Sequence, residues 1–225
     1  ALLSLFISLV VAIPLGIYAG YKPESKVSKT IMAGSILGFS MPTFWVGIIF
    51  IMFFAVFLGW FPTTGRGEIG TFLGINSSLF TLNGLSHVFL PALNLALFKI
   101  SSVIRLTRAG TREIILQDYI TFARAKGLTE RRVVLVHILK NILIPIVTVV
   151  GLEFGSLIAF STVTETVFAW PGMGKLIIDS IYNLDRPVIV AYLMIIVTFF
   201  VFLNLIVDIL YSLLDPRVRV QGKNQ

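Results

Sequence analysis

Residues 117–145 read QDYITFARAKGLTERRVVLVHILKNILIP, a polar and strongly basic island set between two apolar segments, each long enough to cross a bilayer. A membrane protein has little reason to keep so much structured, charged sequence in one loop unless that loop touches something. The island therefore separates membrane spans on either side and marks a candidate interface between them.

Working outward, the 225 residues are 56% hydrophobic and only 13% charged. Soluble domains carry about 25% charged residues, so a soluble globular class is excluded. Long apolar runs dominate, whereas barrel strands would give roughly ten-residue alternating segments. The fold class is all-α integral membrane, a polytopic helical bundle. The net charge of +7 reads as lysine and arginine on the cytoplasmic side of a membrane, not as a nucleic-acid surface. With no cysteine, disulfides, thiol nucleophiles and thiolate metal sites are out of consideration. The chain opens in an apolar run, with neither methionine nor a basic leader. An N-terminal portion holding at least one further helix is therefore expected upstream.

Five spans are expected: Ala1 to Ala19, about Thr30 to Trp60 with an interruption at Ser40-Met41-Pro42, about Leu85 to Leu106, about Val133 to Val163, and about Pro187 to Leu214. Pro14, Pro42, Pro91 and Pro145 fall inside them, which membrane bundles tolerate and use either as hinges or as simple adjustments of shape. Orientation follows from the basic residues: fourteen lie in the Lys22–Lys29 loop, the Arg105–Lys140 region and the C-terminus, against three (Arg66, Lys175, Arg186) on the other side. The Lys22 loop, the central island and the C-terminus are thus expected in the cytoplasm. Three pairs, Gly16/Gly20, Gly34/Gly38 and Gly151/Gly155, have the spacing that lets helix backbones approach closely.

Within the island, Ile115, Tyr119 and Phe122/Ala123 recur at roughly helical spacing. Gly127 suits the left-handed position that stops a helix. Thr129 suits the N-cap of the next helix, with Glu130 in its first turn. The region 111–132 thus reads as two short helices around a glycine, the second entering the membrane. Ala123 and Ala125 are small enough to enter a groove, and Arg124 and Lys126 suit an acidic rim. The same residues also suit a loop resting on anionic headgroups.

Five segments in order carry a family resemblance: LSHVFLPALNLAL (85–97) with Arg105-Leu106-Thr107-Arg108, QDYITFARAKGL (117–128), HILKNILIP (137–145), ETVFAWPGMGKL (165–176) and LDPRVR (214–219). The chain resembles the B-type permease subunits of dipeptide/oligopeptide/nickel ABC importers, so residues 1–225 are read as one N-terminally truncated, type I ABC importer permease-like domain. Thr121 and Phe122 stand where the general importer signature has Glu-Ala, while Ala123 and Gly127 keep their places. The resemblance makes 111–132 the cytoplasmic coupling-helix loop, with Tyr119, Ala123, Arg124, Ala125, Lys126, Gly127 and Leu128 meeting an ATPase. It makes 163–187 an extracytoplasmic loop, with Trp170, Pro171, Gly172, Asp179 and Asp185 facing a binding protein. It implies a second homologous permease, two P-loop ATPase subunits and an extracytoplasmic substrate-binding protein in a prokaryotic inner membrane. ATP and magnesium then belong to the ATPases, because Gly172-Met173-Gly174-Lys175 lacks phosphate-loop spacing.

Ionisable and polar groups inside spans are the pathway candidates: Glu153, Asn94, Ser40 and Met41. Glu153 suits the amino end of a peptide or a cation; it equally suits a partner on another helix such as Lys99. Lys99 and Asp208 are expected to snorkel towards the cytoplasm. His87 and His137 fall on opposite sides and cannot share a metal, so no metal site and no catalytic residue are expected. The expected function is a channel-forming importer subunit for di- and oligopeptides. Nickel complexes or glutathione-like peptides are alternative cargoes. A self-sufficient secondary transporter is the alternative class, but no second copy of a repeat is visible.

Overall fold

The computed structural model describes residues 1–72 and 74–214. Among them, four helices are long and apolar enough to cross a membrane, and a bent helix pair makes a fifth when its two helices are counted as one span. The first span is α1 (Leu2–Tyr21) and the bent pair is α2 (Lys26–Ser40) with α3 (Thr43–Phe50). The latter continues through wider π turns over Ile51–Phe57. The third is α4 (Leu82–Ile115). After α5 (Asp118–Ala125) and the single turn α6 (Glu130–Arg132), π turns over Val133–Ile138 lead into α7 (Leu139–Leu152) and α8 (Phe154–Val167). A short α9 (Met173–Tyr182) precedes α10 (Arg186–Leu214).

The prolines differ in effect. Only Pro42 stands at a sharp break, where α2 and α3 meet at 106°. A residue before proline is steered away from the helical region, so α2 stops at Ser40. Pro42 itself is extended (φ −60°, ψ 133°), and its carbonyl receives the amides of Trp45 and Val46 in the first turn of α3, at 3.1 Å each. Pro14, Pro91 and Pro145 stay inside continuous helices.

Three expectations are corrected. The helix of the third span continues nine residues past Leu106, so 111–115 belong to α4 and the apolar series beginning at Ile115 is split between two helices. The fourth span is interrupted at Glu153 (φ −78°, ψ −6°), between α7 and α8. Glycines 151 and 155 flank this point, and both lower helix stability there. Between the second and third spans lies an unforeseen hairpin, β1 (Gly70–Phe72) paired antiparallel with β2 (Ile75–Ser77), whose turn uses Gly74 at φ +78°. The LDPRVR stretch from Asp215 on, and the basic C-terminus with it, lie outside the described residues.

The chain divides into two compact units. One comprises 1–8, 38–99 and 155–196. Its core is Ala55, Leu90 and Phe168, with Phe50, Ile51, Phe54, Phe61 and Val167 packed around them. Phe39 stacks on Phe98 at 4.7 Å between centroids. Lys99 does not snorkel: it is 2% exposed and donates to Ser156 Oγ at 2.9 Å.

The other unit comprises 9–37, 100–154 and 197 onward. Here the Gly16/Gly20 pair does what its spacing implies. A Cβ on Gly16 would lie 2.5 Å from Thr107 Cβ, and one on Gly20 would lie 2.6 Å from Thr111 Cβ. Both threonines are fully buried, so α1 and α4 meet backbone against side chain with no slack. Gly34, by contrast, has nothing within 4 Å of its missing Cβ.

Candidate functional site

The basic island folds around α5. Ile120 and Ala123, one turn apart, are buried and face the chain's own Val133–Ile138 stretch, where Val133 and Ile138 are also fully buried. Tyr119 and Phe122 point outward, 43% and 61% exposed. Of the expected Ile115, Tyr119 and Phe122/Ala123 series, Ala123 turns inward, together with Ile120, whereas Tyr119 and Phe122 do not. Ala123 fills a contact inside the chain, whereas Arg124, Ala125, Lys126 and Gly127 form the helix tip; Leu128 is half-buried. Lys126 Nζ sits 4.5 Å over the Phe122 ring, a cation–π pair that keeps ring and charge together at the surface.

Gly127 stops the helix as its sequence position predicts. Its φ is +78°, its N–H donates to Arg124 O at 2.9 Å, and the Leu128 N–H reaches Ala123 O at 3.3 Å. These two bonds are the Schellman closure, which satisfies carbonyls that a helix end otherwise leaves open. Thr129 then has the extended backbone of an N-cap, though its side chain makes no capping bond. Glu130 follows and is the hub of the loop. Its carboxylate receives Arg124 Nε at 2.9 Å, Arg124 Nη2 at 3.3 Å, and the hydroxyl of Tyr21 from the end of α1. The hydrogen bond to Glu130 raises the Arg124 pKa further above the ordinary arginine value. On the other flank Asn141 Nδ2 donates to Tyr119 Oη at 3.3 Å.

The second cluster is the corner joining α8 to α9. Gly172 is the N-cap of α9 and has no side chain to cap with. Glu165 supplies the missing acceptor: its Oε2 receives the amides of Gly174 at 2.7 Å and Lys175 at 3.0 Å. A carboxylate at a helix N-terminus is favoured by the unpaired amides and the helix dipole. A Cβ on Gly172 would lie 2.4 Å from the Glu165 carboxyl carbon, and one on Gly174 would lie 2.5 Å from Thr162 Cα. The glycines of Trp-Pro-Gly-Met-Gly thus make room for this carboxylate. Helices α8 and α9 end with the same bond pattern as α5, but on Ala169 (φ +46°) and Leu184 (φ +56°) in place of glycine. Trp170 is half-buried and Pro171 exposed. Asp179 pairs with Lys175 at 2.6 Å, and Asp185 Oδ1 accepts Val188 N–H at 3.3 Å at the start of α10. Glu165→Leu is expected to leave those two amides unpaired and speed their hydrogen exchange about tenfold. Exchange mass spectrometry on peptides covering 173–177 reads this, and unchanged protection would remove Glu165 as the cap.

The pathway candidates lie apart in the division of the chain. Ser40 (exposed) and Met41 (half-buried) occupy the sharp bend, and Asn94 (1% exposed) donates to Thr164 Oγ1 at 3.2 Å; all three belong to the first unit. Glu153, half-buried at the break between α7 and α8, belongs to the second. Among the described residues no three histidine or carboxylate side chains group as metal ligands would. Sequence reading passed over Glu165, Tyr21 and the Thr107/Thr111 pair. Glu165 stands at the head of a quoted motif, and the threonines share the four-residue spacing of the glycines they meet.

A family model for the binding-protein-dependent transport system inner membrane component matches residues 12–220. The chain belongs to that family. Among relatives of this permease-family chain, the di/tripeptide transport system permease protein DppB of Pseudomonas aeruginosa is 41% identical over 92% of the chain and 65% of its own length. The oligopeptide transport system permease protein AppB of Bacillus subtilis is 41% identical over 96% of the chain and 67% of its own. The dipeptide transport system permease protein DppB of Escherichia coli K12 is 36% identical over 93% and 66%. The permease-family chain thus spans about two thirds of the length of these relatives, slightly less for the first. In three dimensions it is similar to a chain of the inward-facing MetNI methionine ABC transporter, with a TM-score of 0.72 over 94% of this chain and 89% of the other at 18% identity. The type I importer permease fold expected from the sequence is the fold found.

Proposed function

We propose that the chain is the channel-forming part of a permease subunit in an ATP-driven, binding-protein-dependent importer of di- and oligopeptides. The observation that carries this reading is α5, closed by its own glycine stop and presenting Tyr119, Phe122 and a basic tip outward. A helix with its apolar side packed on its own chain and aromatic side chains still exposed is suited to a groove in a partner. That partner is an ATPase, two copies of which hold ATP and magnesium; this chain carries no phosphate loop and is not itself an enzyme. The peptide cargo is supported by relatives named as di/tripeptide, dipeptide and oligopeptide permeases.

In this reading a second, homologous permease completes the channel. Residues 111–132 and the C-terminus lie in the cytoplasm, as the charge asymmetry of fourteen against three supports. The 163–187 loop, pinned by Glu165, faces the binding protein through Trp170, Pro171, Gly172, Asp179 and Asp185. Closure of the ATPase pair draws two coupling helices together and opens the channel outward; hydrolysis resets it. Glu153, beside the break in the fourth span, meets the peptide's amino end. Glu153→Gln is expected to shift substrate affinity or range with the complex intact, read by uptake competition between peptides with free and acetylated amino ends. Loss of assembly in that variant would assign Glu153 to structure.

The reading is tested by isolating the tagged full-length protein from native membranes in mild detergent and identifying co-purifying chains by mass. A P-loop ATPase and a second permease are expected. Recovery of the protein alone, under conditions that preserve other membrane complexes, would overturn the importer reading in favour of a self-sufficient transporter.

A further inference from the structure

We propose that Tyr21, Glu130 and Arg124 form a mechanical link carrying displacement of α5 into the first membrane span, with Glu130 as the positioning residue at its centre. This rests on the reading that α5 docks on an ATPase. Three elements converge on one carboxylate: Arg124 of the docking helix through two nitrogens, Tyr21 from the last residue of α1, and the backbone of α6, on whose first residue the carboxylate stands. A bidentate guanidinium pair fixes direction as well as distance. An external pull on Arg124 is therefore delivered to α1 along a defined axis.

The first span is built to pass such a pull on. Tyr21 ends the helix whose Gly16 and Gly20 lock against Thr107 and Thr111 of α4, with no room for even one added methyl group. Ser28 Oγ also holds Ala19 O at 3.1 Å, tying the start of α2 to the same end of α1. Motion of Tyr21 therefore carries three helix segments, not a loose terminus. On its opposite flank α5 is tied to α7 by Asn141 and Tyr119, so the docking helix is held from two sides.

Magnitudes separate this role from a purely structural one. The Arg124 and Glu130 side chains are 36% and 53% exposed, and exposed ion pairs contribute about 0–1 kcal/mol to stability. The fold does not depend on the node. Its geometry, shared by three partners from separate elements, matters when force or displacement passes through it.

The test uses the assembled importer in proteoliposomes, with binding protein and labelled peptide, measuring uptake and ATP hydrolysis in parallel. Tyr21→Phe should retain ATPase co-purification and basal hydrolysis but lower peptide transported per ATP about fivefold. Glu130→Ala should do at least the same. The double variant should be no worse than Glu130→Ala alone, because both substitutions cut one connection. Unchanged transport per ATP in Tyr21→Phe, or losses that simply multiply in the double variant, would overturn the link. Gly127→Arg in the same assay separates the two readings. If it abolishes uptake while Tyr21→Phe transports normally, only the link is wrong. If Gly127→Arg also transports normally, α5 is not the docking element and the link falls with it.

Discussion

Gly127→Arg is expected to abolish peptide uptake while leaving membrane insertion intact. Two effects combine in that substitution. Gly127 sits at φ +78°, where a side chain costs about 1–2 kcal/mol, and the strain falls on the bonds from Gly127 to Arg124 O and from Leu128 to Ala123 O. The long charged side chain would also project from the tip, where nothing of the chain itself lies within 4 Å of the missing Cβ. Inside this chain the space is open, so steric conflict arises only with a docked partner. Gly127→Asn is the control, since asparagine tolerates the left-handed region and adds little bulk. Labelled-peptide uptake and the amount of co-purified ATPase read both variants. Normal uptake in Gly127→Arg would sink the docking assignment.

The second large effect is expected from Gly20→Leu. Here the conflict is internal: the new Cβ would lie 2.6 Å from Thr111 Cβ and 2.8 Å from the Arg108 carbonyl oxygen. A side chain can rotate away, but a backbone carbonyl in the middle of α4 cannot. Overpacking of this kind costs about 1–3 kcal/mol or more. In a chain of this size that lowers the melting temperature of the solubilised protein by about 2–12 °C. Gly34→Leu supplies the comparison, because its Cβ would meet nothing within 4 Å. Equal melting temperatures for Gly20→Leu and the unmodified protein would show that α1 and α4 are not locked at this seam.

The long apolar helices were legible because hydropathy is a local property that a membrane enforces on every span, and four of the five expected spans meet that test, with the bent pair as the fifth when counted as one. Gly127 was legible for a similar reason: a glycine between a helical series and Thr129-Glu130 has few other uses. The inward face of α5 was not, because Tyr119, Ile120, Phe122 and Ala123 are all compatible with burial. Only the packing of α5 on the Val133–Ile138 stretch decides which pair turns in. The true length of α4 was hidden likewise, since Thr107 and Thr111 look polar until glycines on α1 cover them. Glu165 was read as part of a motif without a role, because its partners are two backbone amides nine and ten residues ahead. Main-chain partners leave no signature in side-chain sequence.

The glycine stop of α5 has one more consequence. Its terminal carbonyls are closed within the chain, and Ile120 and Ala123 already anchor its inner side. The segment is therefore preorganised: in the proposed docking it would meet its partner as a finished shape, with no coil-to-helix transition left to complete. Ordering a flexible segment on association would subtract conformational entropy from each binding event. A prefolded helix avoids that penalty on every cycle, and its association rate is set by encounter and orientation rather than by folding.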